Sequence, residues 1–199
     1  MADVNVYLAR HGQTAYNLEK RFQGQQAVPL DETGRRQAGE LARRAAGHGF
    51  SALWCSPLLR ARETAEVVAE RLGLEPTEDA RFMETDAGDW TNLLFSEVHE
   101  KSPEPLAKFL EGDSSFAFPG GESFVQQEAR VAAALLDVER GALPALVVCH
   151  GMVIRAALSS RAGHWEPRAE RVPNGALVPL DPALAKRPAA DANEATIAT

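Results

Sequence analysis

Apolar positions along this chain follow two periods that alternate with each other. Unbroken apolar runs at Val6 to Ala9 and Ala145 to Cys149 read as buried strands, and so does Phe50 to Cys55, interrupted only by Ser51. Between them, apolar residues recur at helical spacing. Asp31-Glu32-Thr33-Gly34 opens one helix, with Ala38, Leu41, Ala42 and Ala45 on its buried face and Arg35, Arg36, Arg43 and Arg44 in solvent. Ser56 as N-cap and Pro57 at the first helical position open a second, buried through Ala61, Ala65, Val68, Ala69 and Leu72. A third, after the loop Pro119-Gly120-Gly121-Glu122-Ser123, carries Val125, Ala129, Ala132 and Leu136 on one face. Met152 to Ser160 continues the Ala145 run as a helix.

Other segments fill the gaps. Asn17 to Pro29 is polar and reads as a loop, and Pro76 to Met83 as a short edge strand. Leu93 to Glu111 is helical, broken by Pro103 and Pro105. Asn174-Gly175 is a turn before a last strand, Ala176 to Leu180. Residues 182–199 are rich in Ala, Pro and Asp without periodicity, which predicts a disordered tail. Strands alternating with amphipathic helices predict an α/β three-layer sandwich, a mostly parallel central sheet flanked by helices. One domain is expected over 1–181, with a small helical and loop cap inserted at about 88–122. Neither an internal repeat nor a second core is visible.

Composition narrows the function classes. The 199 residues are 45% hydrophobic and carry a formal net charge of −7, without a compensating basic run, which argues against nucleic acid as partner. Cys55 and Cys149 each sit in an apolar run and read as buried free thiols. No stretch resembles a signal peptide or approaches a membrane span, so a soluble cytoplasmic protein is expected. Oligomeric state is left open, with a homodimer among the options.

The chemistry gathers where strands stop. The first ends at Arg10-His11-Gly12, the second runs into a helix whose first turn holds Arg60, and the third ends at His150-Gly151. Arginine supplies a fixed fork of donors suited to phosphate, and histidine a nitrogen that is nucleophilic at neutral pH. Gly12 would let the backbone turn away from a substrate, and the Gly151 and Met152 amides lie at a helix start. Carboxyl edges of parallel strands are where open α/β sheets bind ligands. Two guanidinium groups beside a histidine also penalise its protonated form. Glu84, in the acidic turn-like segment before Trp90, offers a carboxyl able to hold a proton for a departing oxygen.

With these residues the chain resembles the histidine phosphatase superfamily, the phosphoglycerate-mutase-like proteins. Arg10-His11-Gly12 with Thr14 and Asn17 is similar to the family's opening signature, and Phe22-Gln23-Gly24 to the following segment. Ser56 to Ala61 with Thr64-Ala65, then Glu84 with Gly88 and Trp90, then Pro119 to Ser123 and His150-Gly151 complete the series. The resemblance implies a phosphomonoesterase acting on a small organic phosphate through a phosphohistidine. His11 would be the nucleophile, Glu84 the acid, and Arg10, Arg60 and His150 the phosphoryl ligands. Asn17, Gln23, Gly24, Gly151 and Trp90 would contribute to binding, with no metal or other cofactor. A cofactor-dependent phosphoglycerate mutase would share these residues, and a non-catalytic phosphoryl-ligand binding protein is the rival from another class. One departure stands out. Family members commonly follow the Trp with Glu-Gly, whereas Thr91-Asn92 stands here, at positions that border the leaving-group pocket by the resemblance. Leu93, Leu94, Phe95, Phe116 and Phe118 would either line that pocket or pack the cap onto the core.

Overall fold

The computed structural model describes residues 5–163 and 172–180. Five strands, β1 (Val6–Arg10), β2 (Ala52–Cys55), β3 (Pro76–Glu78), β4 (Ala145–Cys149) and β5 (Leu177–Pro179), form one sheet in the order β3-β2-β4-β1-β5. All pairings are parallel except that of β5 with β1. The predicted α/β class and mostly parallel sheet are therefore observed.

Side chains alternate across the sheet, and each face has its own helices. Leu8, Val147 and Cys149 face α6 (Phe124–Arg140) and α7 (Gly151–Ala162) through Val131, Leu135, Val138, Val153 and Ile154. Ala9, Leu146 and Val148 face α2 (Glu32–Ala45) and α3 (Leu59–Leu72) through Leu41, Ala45, Ala61, Ala65 and Val68. Local chemistry sets the helix starts. Asp31 accepts from the Gly34 amide at 2.7 Å, and Ser123 from the Gln126 amide at 3.2 Å.

Several expectations are corrected. Asn17 lies in a short helix, α1 (Ala15–Glu19), whose capping box joins Thr14 and Asn17, so the polar loop begins later. Ser56 is not an N-cap. Helix α3 begins at Leu59, and the completely buried Ser56 hydroxyl is turned to His150. The edge strand stops at Glu78, and a 3₁₀ turn, Ala80–Phe82, follows. Helix α6 buries the other of its two apolar stripes, with Phe124, Val131, Leu135 and Val138 inside while Val125 and Leu136 are exposed. Both stripes have helical spacing, and the one with the larger apolar volume faces the core.

The chain break in the cap falls at Ser102, between α4 (Phe95–Lys101) and α5 (Pro103–Glu111), with Pro103 at the first helical position. The cap also has its own core. Trp90, Val98, Leu106, Phe109, Phe116, Phe118 and Phe124 form a third buried cluster, to which Phe22 is added from the other side. Burial contributes about 1.5–3 kcal/mol for each such large apolar side chain. No helix among the described residues is long and apolar enough to cross a membrane. The tail expected at 182–199 lies outside the described residues.

Candidate active site

Sheet register brings the two histidines together. Arg10 of β1 is aligned with Cys149 of β4, so His11 and His150, one residue further on, leave the sheet side by side. The His11 amide extends the ladder to Cys149 O (3.0 Å), and the two ring centroids lie 5.2 Å apart. Strand β2 flanks β4 on its other side, and α3 after it places Arg60 in the helix's first turn. Arg60, 1% exposed, donates from Nε to His11 Nε2 (3.3 Å), from Nη1 to Gln26 O (2.9 Å) and from Nη2 to Gly24 O (2.9 Å). Arg10 donates from Nη1 to Val172 O at 2.6 Å.

The contacts of His11 fix its tautomer. His11 Nδ1 lies 2.6 Å from Gly12 O, an acceptor only, so Nδ1 carries the proton and Nε2 keeps a lone pair towards Arg60. Burial first, then the charges of Arg60 and Arg10, hold His11 well below the ordinary histidine value, with the Gly12 bond opposing them. Burial is likewise the largest cause for His150, followed by Arg60, His11, Arg10 and Arg130. The sequence reading named the arginine charges, but loss of water outweighs them. Burial also lowers Arg60 to about 10, which Glu84 opposes and Arg10 reinforces, so the guanidinium stays charged at neutral pH.

His150 Nε2 meets Ser56 Oγ at 2.7 Å, while its buried Nδ1 has no partner among the described residues. Ser56 Oγ already accepts from the Leu58 amide (3.2 Å), and its own hydrogen can donate to Nε2. In that arrangement the imidazole proton sits on Nδ1, a donor with no acceptor among the described residues.

Gly12 is needed for packing more than for substrate access. A Cβ there would stand 2.3 Å from Gly34 O, so the loop after β1 lies directly on the start of α2. The Gly12 amide donates to Thr64 Oγ1 (3.1 Å), which in turn donates to Arg60 O (2.7 Å). Asn17 and Gln23 both line the cavity, and Thr14 Oγ1 lies between Asn17 Oδ1 (3.2 Å) and Gln23 Oε1 (3.0 Å). Asn174 was read only as a turn residue. Its Nδ2 bonds both His11 O and Asn17 Oδ1, each at 3.1 Å, and so joins the loop after β1 to α1. The Asn-Gly dipeptide was visible in the sequence, but nothing in it pointed to β1.

Glu84 enters from the opposite side. Its Oε1 accepts from the Thr85 amide (3.0 Å) and its Oε2 from the Met152 amide (3.4 Å) in the first turn of α7. Gly151, the first residue of α7, lies beside Arg10, and a Cβ there would be 3.5 Å from Arg10 Nε. A cavity of about 100 Å³ connects Arg10, His11, Asn17, Gln23, Gly24 and Glu84 with an apolar wall of Phe22, Phe95, Phe109, Phe118 and Met152. Phe95 and Phe118 thus line the cavity, whereas Leu93 and Phe116 pack in the cap core. Trp90 does not line the cavity. It is 3% exposed among Phe22, Phe109, Phe116 and Phe118, with ring centroids 5.2–6.1 Å away.

Thr91 and Asn92 also lie outside the cavity lining. Asn92 adopts φ +67°, a left-handed conformation that Asn tolerates better than most residues, and its amide donates to Phe22 O (2.8 Å). Thr91 Oγ1 lies 3.1 Å from where a Cβ on Gly24 would be. The departure from Glu-Gly therefore reaches the cavity through Phe22 and Gly24. Among the described residues, no group of three or more His, Cys, Asp or Glu side chains is placed to hold a metal ion.

A family model described as the histidine phosphatase superfamily, branch 1, matches residues 6–187. The chain belongs to the histidine phosphatase superfamily. A probable phosphoglycerate mutase, GpmB, of Salmonella paratyphi B is 33% identical to this superfamily member over 183 residues, 89% of this chain and 85% of that protein. A mycobacterial glucosyl-3-phosphoglycerate phosphatase superposes with a TM-score of 0.81 at 30% identity, covering 88% of this chain and 91% of its own. Phosphoserine phosphatase of Entamoeba histolytica, solved with 3-phosphoglyceric acid, gives 0.76 at 27% identity, covering 87% and 88%.

Proposed function

We propose that this histidine phosphatase superfamily member hydrolyses phosphate monoesters of small organic molecules through a phosphohistidine at His11. The observation that carries this is the buried His11 Nε2 lone pair, fixed by the Nδ1 bond to Gly12 O and facing the Arg60 guanidinium. Nε2 attacks phosphorus as the bond to the leaving oxygen breaks, and protonated Glu84 supplies that oxygen with a proton. Arg10, Arg60 and the His150 Nδ1 proton take the non-bridging oxygens, with Asn17, Gln23 and the Gly151 amide beside them. Water then attacks phosphorus and gives a proton to Glu84, the N–P bond breaks, and His11 recovers its lone pair. The anion's charge is met by guanidinium groups, so the reaction is read as metal-independent. Buried, unpaired Cys55 and Cys149 agree with a reducing compartment such as the cytoplasm.

A second reading, phosphoglycerate mutase, has the name of the Salmonella relative in its favour. The two differ in the fate of the phosphoenzyme, since a mutase must shield it from water. Product analysis with 3-phosphoglycerate and a panel of phosphorylated metabolites separates them. Release of inorganic phosphate at a useful rate is expected. Isomer formed without free phosphate would favour the mutase, and inertness towards every compound, p-nitrophenyl phosphate included, would favour a binding protein.

A further inference from the structure

We propose that Glu122 and Arg130 are positioning residues for Glu84, acting as a clamp on the backbone that carries it. This rests on the reading of Glu84 as the general acid. Residues 83–87 belong to no helix or strand, so their backbone groups need other partners. Arg130, on the second turn of α6, supplies them. Its Nη1 donates to Arg81 O (2.7 Å) and Met83 O (2.8 Å), and its Nη2 reaches Glu84 O at 3.4 Å. Glu122 holds the other side of the guanidinium as a two-point fork, with Oε1 2.5 Å from Nε and Oε2 2.7 Å from Nη2.

Glu122 also grips the loop directly. Its amide donates to Asp86 O (3.0 Å), and its Oε2 accepts from the Asp86 amide (3.4 Å). The two loops are in backbone contact besides, since a Cβ on Gly88 would stand 2.1 Å from Pro119 O. Side-chain exposures of 20% for Arg130 and 14% for Glu122 put the pair largely out of solvent, where a planar fork is less easily loosened. Among the described residues the carboxylate of Glu84 itself has two amide contacts, so its position follows the backbone beneath it.

None of these contacts touches Arg10, His11 or Arg60. Loosening the clamp should therefore weaken proton delivery and leave the phosphoryl ligands in place. Misplacing a catalytic group by 1 Å costs up to about 10²-fold in rate. Removal of the Arg130 charge would also act on His150, where it is the smallest of the causes holding the imidazole neutral. That effect is common to all substrates and cancels in a ratio of rates.

The test is the single-turnover phosphorylation rate from an alkyl phosphate divided by that from p-nitrophenyl phosphate. The ratio cancels the folded fraction and isolates protonation of the leaving oxygen, because p-nitrophenolate departs without help. Glu84→Gln serves as reference, and Arg130→Lys keeps the charge while losing the fork. Glu122→Gln carries the test if Arg130→Lys does not fold. A fall of about tenfold or more in the ratio is expected for the clamp variants, within the fall seen for Glu84→Gln. No further fall should occur when Arg130→Lys is added to Glu84→Gln. If Glu84→Gln lowers the ratio and the folded clamp variants keep the wild-type value, or lower it further on top of Glu84→Gln, the clamp is refuted alone. If Glu84→Gln leaves the ratio unchanged, the acid assignment fails and the clamp fails with it.

Discussion

The two sides of the cavity are built in different ways. On one side His11 lines the cavity, with Arg60 and His150 against it outside the lining; each is no more than 1% exposed, and their placement follows from sheet register and a helix start. On the other, half-buried Glu84 rides on irregular backbone, and the wall of Phe22, Phe95, Phe109 and Phe118 belongs to the cap's own aromatic cluster. In the proposed reaction the first side would meet the phosphoryl group, which every monoester shares, and the second the leaving group, which differs from substrate to substrate. A fold that separates them in this way can change its wall without disturbing its cage. Solved relatives named for glucosyl-3-phosphoglycerate and for phosphoserine share this chain's fold, with TM-scores of 0.81 and 0.76.

The sharpest way to break this contrast is to damage the cage. Arg60→Ala removes the charge proposed to meet the phosphoryl oxygens and also releases the carbonyls of Gly24 and Gln26. Loss of about 10²–10³-fold in phosphorylation rate is expected, by similar factors for alkyl and aryl phosphates. A loss confined to one substrate would show that cage and wall are not independent.

A smaller and more selective effect is expected from the wall. Phe95 is only partly buried and stacks on Phe22 at 5.8 Å, so Phe95→Ala should leave the cap folded. The specificity constant kcat/KM should fall by about tenfold for a bulky aryl phosphate such as 1-naphthyl phosphate. For ethyl phosphate it should change little. Equal losses for both would mean that Phe95 supports the cage rather than the leaving group.

The same contrast explains what the sequence made legible. Arg10, His11 and His150 could be read because each follows an unbroken apolar run, so a local signal fixes both strand and edge. Arg60 could be read because a helix start fixes its place within one turn. Ser56 misled because a serine before Pro57 looks like a cap, and only β2–β4 pairing reveals His150 as its partner. Trp90 misled in the opposite direction. It stands in the motif, yet its bulk is used inside the cap, and nothing local distinguishes a ring facing a cavity from one facing four phenylalanines. Asn174, 163 residues from His11, and Arg130, 49 and 47 residues from the Arg81 and Met83 carbonyls it holds, make long-range contacts with no periodic trace. Helix α6 shows the limit of periodicity itself, since two stripes at equal spacing differ only in the volume they can bury.

The central claim is that phosphoryl transfer passes through His11 Nε2. Rapid quenching of the enzyme with ³²P-labelled substrate tests it most directly. Wild type should carry label that is acid-labile and base-stable, as a phosphoramidate is, and peptide mapping should place it on His11. His11→Ala, folded but inactive, should carry none. Acid-stable label on a serine, label retained in His11→Ala, or turnover in wild type with no labelled enzyme at any quench time would contradict the account.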